Sequence, residues 1–349
     1  MTRWTWIAAA LAVVVVLAVV ITIAVRTTLP GHPDASSSPS ATPDSTPTPT
    51  TTTPANTAIF PGGLYLDPKT HAVAAEARLT QEGKSAEATK ILEISGQPTA
   101  IWIGDWLTPE KLAPLLAEYR ADASKQGKTL VFVTYAIPNR DCGGLSKGGL
   151  TSEEYLEWNR TIATSLAGSG AVILVEPDSL AQLSNDACKN ESEKRLPVLA
   201  QAVDILTTAN LTVYLDAGGS NWVQPDVIAE RLKAVGVEKT RGFFTNVSNY
   251  YRVDEERSYA EKVSALVGNK NYVIDVSRNG NGWQGDWCNP KGAALGQAPH
   301  VTAGTTGLDA LLWVKHPGDS DGACNGGPKA GVWWETYALD LVNNRDTSK

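Results

Sequence analysis

Histidine is scarce in this sequence: four in 349 residues (His32, His71, His300 and His316), none spaced as ligands to a common ion. The four cysteines, Cys142, Cys188, Cys288 and Cys324, fall into no zinc-type Cys/His pattern. No metal site is therefore expected, and no cofactor. Charge is thin as well. Charged residues make up 19% of the chain and the formal net charge is −7, so there is no basic surface to attract a polyanion. That argues against nucleic acid as a partner and against a charged polymer as substrate. From Ile59 onward no long low-complexity stretch interrupts the chain. This part of the chain is long enough for one large α/β barrel or two small domains.

The first sixty residues are a different matter. After Arg3 the chain runs apolar from Trp4 to Val25, interrupted only by Thr5 and Thr22. That length can span a bilayer. A cleaved signal would have a shorter apolar core and a small-residue cleavage site, and none stands out after Val25. Residues 1–28 are read as a membrane anchor, with a signal peptide as the alternative. Either puts the remainder outside the cytoplasm, secreted or tethered to the cell surface, with the membrane touched only by this segment. Residues 29–57 are rich in Pro, Ser and Thr, with TPTPTTTTP near the centre. Such composition cannot bury enough apolar surface to fold, and proline stiffens it into a spacer. Residues 58–349 remain as a single globular domain, expected to be monomeric.

Within that domain, the nine residues VILVEPDSL (Val172–Leu180) set the frame. Four consecutive aliphatic residues suit a strand buried on both faces. Glu176 and Asp178 then flank Pro177, which stops the ladder and stiffens the turn. A carboxyl at the mouth of an apolar strand is poorly solvated, and desolvation raises its pKa towards that of a general acid. Six more apolar runs recur: Ala100–Ile103, Leu130–Tyr135, Leu211–Leu215, Gly242–Phe244, Tyr272–Ile274 and Leu311–Val314. Helical patterns lie between most of them. Thr108-Pro109-Glu110 reads as an N-cap and first turn. Thr151 with Glu154 reads as a capping box. Asp254–Val267 is amphipathic. Strand and helix alternating seven times predict parallel strands with helices outside, and favour a TIM-like barrel over an open sheet.

In such barrels the C-terminal strand ends share the face that carries the active site. Here they carry Asp105 and Trp106; Tyr135, Arg140 and Asp141; Glu176 and Asp178; Asp216, Gly218, Gly219 and Trp222; Asn246 and Asn249; Asp275, Arg278 and Asn279; and Lys315, Asp319 and Asp321. One rim thus collects acids, amides, a lysine and tryptophans. Eleven tryptophans is a high count, and aromatic faces in a cleft suit stacking on uncharged sugar rings. Asp216 and Asp275 could equally cap or orient neighbouring loops. The cysteines lie close to these rim residues, and an extracellular location favours disulfides. Four cysteines allow three pairings, and spacing does not choose among them.

The motifs YAIPNRDC (Tyr135–Cys142), VEPDSLA (Val175–Ala181), YLDAGGSNW (Tyr214–Trp222), NVSNY (Asn246–Tyr250), VIDVSRNGNG (Val273–Gly282), GDWCNPKGAALG (Gly285–Gly296) and WVKHPGDSDG (Trp313–Gly322) occur in this order. Together they give the chain a pattern that resembles glycoside hydrolase family 6, the inverting β-1,4-glucanases. The resemblance implies a distorted seven-stranded parallel α/β barrel and the neighbour pairing Cys142–Cys188 and Cys288–Cys324. It makes Asp178 the proton donor. Asp141 becomes a second essential aspartate that raises the pKa of Asp178 and assists a water relay. Asp321 lies where the family's debated base stands. Tyr135 matches the tyrosine pressing on the distorted sugar. Trp102, Asp216, Asn246, Trp287, Lys315 and Asp319 are expected to bind substrate. Ser146 is a further candidate for holding the water. The chain departs from the family where Gly219 replaces a histidine, where Lys291 and Ala293 replace a proline and an arginine, and where Asp319 replaces a glutamate.

The chemistry fits the rim. Inverting hydrolysis needs a carboxylic acid at the leaving oxygen and a water on the opposite face, with the two sides roughly 6.5–9.5 Å apart. Acids on different strand ends can meet that spacing. The short stretch between Cys288 and Cys324 leaves no room for long roofing insertions, so an open groove is expected. The expected activity is an endo-β-1,4-glucanase acting on cellulose or related β-glucans. The alternatives are a cellobiohydrolase, or a catalytically weak surface protein that binds β-glucan.

Overall fold

The structure is a computed structural model that describes residues 58–345. The expected anchor or signal (1–28) and spacer (29–57) lie outside the described residues. Two helices open the domain, α1 (His71–Gln81) and α2 (Ser85–Ser95). Next come β1 (Ile101–Gly104), α3 (Pro109–Gln126), β2 (Val131–Tyr135), α4 (Ser152–Leu166) and β3 (Val172–Val175). The alternation continues through α5 (Ser192–Thr208), β4 (Thr212–Asp216), α6 (Pro225–Ala234) and β5 (Gly242–Thr245). It closes with α7 (Val253–Leu266), β6 (Asn271–Asp275), β7 (His300–Val301), β8 (Leu308–Leu312) and α8 (Glu335–Asn343).

Local chemistry explains the helix ends. Pro109 takes the first position of α3, where its missing N–H costs nothing, and Gly127 ends the helix at φ 62°. At α4 the capping box is complete: Glu154 N–H donates to the Thr151 hydroxyl (3.3 Å) and Thr151 N–H to the Glu154 carboxylate (3.0 Å).

The strands run β1-β2-β3-β4-β5-β6-β8-β7, parallel from β1 to β6 and on to β8. All seven expected strands are present, and the sheet holds an eighth. β7 pairs antiparallel with β8 over two residues, too short for any periodicity to reveal. The last parallel strand also begins earlier than the apolar run Leu311–Val314. Asp309 breaks that run, yet it lies fully buried inside β8. It can do so because Arg241 grips its carboxylate with two bonds (2.9 and 2.8 Å) and Tyr214 (2.6 Å) and Asn271 (3.0 Å) donate to it.

Alternate strand residues divide the core in two. Val133, Leu174, Tyr214, Phe244, Val273 and Leu312 fill the barrel. Phe132, Ile173, Val213, Phe243, Ile274 and Leu311 pack outward under the helices. The ring stays incomplete between β1 and β8, which share no ladder. A backbone bond from Ala100 N–H to Trp313 O (2.9 Å) and the Trp102 indole N–H to Val314 O (2.8 Å) cross the gap. The C-terminal strand ends therefore open onto one shared rim.

Candidate active site

The turn after β3 decides what each of its two acids does. Glu176 and Asp178 both take left-handed backbone, at φ 51° and 72°, a conformation that costs a non-glycine residue about 1–2 kcal/mol. The kink sends the two side chains apart. Glu176 turns inward, fully buried, and accepts from the N–H groups of Ala136 and Ile137 at the end of β2 (3.0–3.1 Å). It is a brace for the next loop. Asp178 points up into a cleft of about 920 Å³. Its carboxyl has no hydrogen-bond partner among the described residues. Burial pushes its pKa well above the usual carboxylate range, the carboxylates of Asp216 and Asp141 add to that, and Lys315 opposes it only in part.

Asp141 comes from the loop after β2 and lines the same cleft. Its two oxygens accept from Ser146 N–H and from the Gln182 side-chain amide, each at 2.7 Å. The fit leaves no room for a side chain at Gly144, where a Cβ would lie 2.4 Å from the Asp141 carboxylate. Arg140 braces this loop from below, donating to Asp105 (2.8 Å) and to Ser146 O (2.9 Å). Tyr135 stands edge-on to Trp102, with ring centroids 5.1 Å apart, and both line the cleft.

Asp321 lies on the opposite side of the rim. Arg278 donates to it at 2.8 Å, Lys315 sits 3.1 Å away, and Tyr250 hydroxyl and Asn289 N–H add two more bonds. Burial alone would raise this carboxyl, but Arg278 and then Lys315 outweigh it and hold it well below the usual range. A carboxylate so acidified is a weak proton acceptor, which counts against Asp321 as a general base. Nearby Asp319 is gripped by His71 (3.0 Å) and His316 (3.4 Å). These contacts overcome its burial and bring its pKa down to about 2.

Trp102, Tyr135, Asp141, Ser146, Asp178, Trp287, Lys315, Asp319 and Asp321 all line the cleft. Two expected sugar contacts do not. Asp216 is buried beneath the wall, its oxygens taken by the N–H groups of Leu180, Ala181 and Gly218 (each 3.0 Å). Asn246 is buried too, donating to Asp275 O (2.9 Å) and exchanging bonds with the Tyr251 backbone. Both serve as loop struts, because backbone groups near them would otherwise be left unpaired. Asp275 is a strut of the same kind, accepting four backbone N–H groups. The disulfides join Cys142 to Cys188 and Cys288 to Cys324, with Cα atoms 5.6 and 6.2 Å apart.

The sequence model for Glycosyl hydrolases family 6 matches residues 62–345. The chain belongs to glycosyl hydrolase family 6. Endoglucanase A of Cellulomonas fimi is 43% identical over 282 residues, 81% of this chain and 61% of that protein. The chain thus spans less than two thirds of that relative's length. Endoglucanase 1 of Streptomyces halstedii is 36% identical, over 82% of this chain and 91% of its own. Among solved structures, the endoglucanase Cel6 from Mycobacterium tuberculosis, in complex with a methyl-cellobiosyl-thio-cellobioside, superposes with a TM-score of 0.75. It is 40% identical over 80% of this chain and 96% of that one.

For a family 6 protein the supporting residues prove as informative as the acids. Arg195 carries no sequence signal of a site residue. It is buried in α5 with no carboxylate partner among the described residues, donating to Ser179 O (3.0 Å) beside Asp178 and to Asn139 O (2.9 Å) beside Asp141. Its Nη2 also lies 3.3 Å from the sulfur of Cys142. One cation thus ties together the two loops that carry the acids. Gln182 and His71 are likewise site residues that the sequence does not announce. Where the family's usual histidine is absent, a Cβ on Gly219 would come within 3.3 Å of the buried Glu256 carboxylate.

Proposed function

We propose that the protein is an endo-β-1,4-glucanase that cleaves internal bonds of cellulose or a related β-glucan with inversion. The observation that carries this reading is the carboxyl of Asp178, without a hydrogen-bond partner among the described residues and raised in pKa by burial and by Asp216 and Asp141, in an aromatic-lined cleft beside Asp141. Asp178 donates its proton to the leaving oxygen. Water attacks from the opposite face, held on the Asp141–Ser146 side and losing its proton through solvent there. Asp321, too acidic to accept that proton, fixes Lys315 and the opposite wall. Tyr135 and Trp102 form an apolar edge against the sugar.

Endo action is supported by the openness of the cleft. Trp106, Trp283 and Trp287 are still 52%, 40% and 54% exposed, so a chain can enter sideways at any point. Endoglucanases among the similar proteins point the same way. Two disulfides suit an oxidising compartment, and we place the domain outside the cytoplasm as a monomer held by its N-terminal segment. The test is hydrolysis of carboxymethyl cellulose followed by viscosity, reducing ends and proton NMR. Viscosity should collapse before many ends appear, and the first anomer released should be α. Cellobiose as sole early product at unchanged viscosity would mean exo action. No reducing ends at all would mean a binding protein.

A further inference from the structure

Trp102, Tyr135 and Trp287 of the cleft already have a role in sugar contact; Tyr251 and Trp283 have none, and they stack on each other. Tyr251 leaves the loop after β5 and Trp283 the loop after β6, and both line the cleft. Their rings lie 5.2 Å apart and within 7° of parallel. Trp283 nevertheless remains 40% exposed. A pair assembled only to pack would hide the larger ring, since an indole leaves much apolar area to bury.

The backbone beneath the pair is pinned. Arg252 donates to Asn281 O (3.0 Å) and Gly280 O (3.5 Å). Asn281 donates to Gly292 O (3.0 Å) and Asn344 O (3.1 Å), and Gln284 to Asn281 O and Gly282 O (3.1 and 3.2 Å). Gly282 sits at φ 74° with a would-be Cβ 3.0 Å from Arg252 Nε. On the other strand end, Asn246 and Asn279 hold Tyr251 O (3.2 and 2.9 Å). Two aromatic rings are thus fixed before any ligand arrives, so little ordering cost falls on binding.

We propose that the Tyr251–Trp283 stack is an additional sugar platform of this cleft, taking an uncharged pyranose of an extended β-linked chain away from the bond being cleaved. The proposal rests on the glucanase reading of the cleft. The apolar face of a β-linked glucose presents a row of C–H groups that matches a flat ring of this size. The pair stands on the loops after β5 and β6, not on the turn after β3 that carries Asp178, so it contributes only when the chain is long enough to reach it and lengthens the preferred substrate.

The experiment measures kcat/KM on cellotetraose and cellohexaose for the parent, Trp283→Ala and Trp283→Phe. It adds calorimetric titration of cellohexaose into each in the Asp178→Asn background. Truncating an aromatic anchor at an interface costs about tenfold in affinity. The expected result is a hexaose-to-tetraose ratio about tenfold lower for Trp283→Ala, largely restored in Trp283→Phe, with a matching loss of hexaose affinity. Equal losses on both lengths, or no loss on either, would overturn the platform. If the parent cleaves neither oligosaccharide, the glucanase reading fails on its own. The titration then still decides: hexaose affinity unchanged by Trp283→Ala removes the platform too.

Discussion

Asp178 and Asp321 stand on one rim, the first half-buried and the second buried, and desolvation pushes both pKa values in the same direction, upward. Their neighbours then part them. Around Asp178 the carboxylates of Asp216 and Asp141 add to the effect of burial and Lys315 opposes it only in part, so its proton is held more tightly. Around Asp321 the guanidinium of Arg278 and the ammonium of Lys315 reverse the effect of burial. Burial therefore does not by itself make a general acid; what matters is which charges are buried alongside. One rim can bias one carboxyl towards its protonated form and hold another as an anion, because Arg278 and Lys315 contact Asp321 directly while Lys315 only partly offsets the carboxylates around Asp178.

The strongest way to break the contrast is to remove the proton. Asp178→Ala should lose about 10²–10⁴-fold in kcat on cellulose derivatives, since a sugar hydroxyl leaves poorly without protonation. A substrate with an acidic phenol leaving group should lose far less. Asp141→Ala should show the other pattern, impaired on both substrates, because the water side fails whatever the leaving group. The measurement is kcat/KM for both variants on both substrate types. Equal losses for Asp178→Ala across them would take away its role as the acid.

The other arm of the comparison is tested through Arg278. Replacing it with Gln leaves Asp321 buried with Lys315 as its one contacting cation among the described residues, and breaking a buried pair costs about 3–5 kcal/mol. The sign follows from the depressed pKa. In the parent, Asp321 contributes stability that is fully present above the unfolded carboxyl pKa of about 3.9 and is lost as pH falls through its lower folded value. Arg278→Gln should therefore unfold more easily at pH 7, with a deficit that narrows below about pH 4. Urea midpoints at pH 7 and pH 3.5 measure it. A deficit equal at both would show that Arg278 acts by packing and not through Asp321.

Much of this is legible in the sequence, for identifiable reasons. Strands buried on both faces leave uninterrupted apolar runs, so all seven parallel strands can be read. The start of β8 is masked because Asp309 looks like a break until Arg241 and Tyr214 are seen around it. The sharp turn at Pro177 announces the acids, but not which of them faces the cleft. That depends on the left-handed backbone at Glu176 and Asp178, which no residue type dictates. Asp216 and Asn246 show the same gap: a polar residue at a strand end reads alike whether it meets sugar or backbone N–H. Arg195 is invisible because its partners are carbonyls at Asn139 and Ser179, outside its own helix, while α5 displays only an amphipathic pattern.

The smallest effect is the most discriminating. If Asp178 keeps its proton against the pull of neutral pH, the folded state bears a cost that a neutral isostere would not. Below about pH 4 its carboxyl is protonated in both folded and unfolded chains, and nothing is lost. As pH rises the unfolded carboxyl ionises freely while the folded one resists, so stability falls and the loss is complete above the raised folded pKa. Asp178→Asn has the same shape and no proton to lose. It should raise Tm at pH 7 by about 2–4 °C, the usual return of about 1 kcal/mol in a domain of this size. The gain should vanish at pH 3.5. Asp321→Asn should do the reverse, lowering Tm at pH 7 because it discards an anion that two cations stabilise. Thermal melts of both variants at the two pH values read the signs directly. A flat response from Asp178→Asn would mean that water or a relaxed loop already solvates the carboxylate. The rim would then hold two ordinary anions instead of an acid and an anchor.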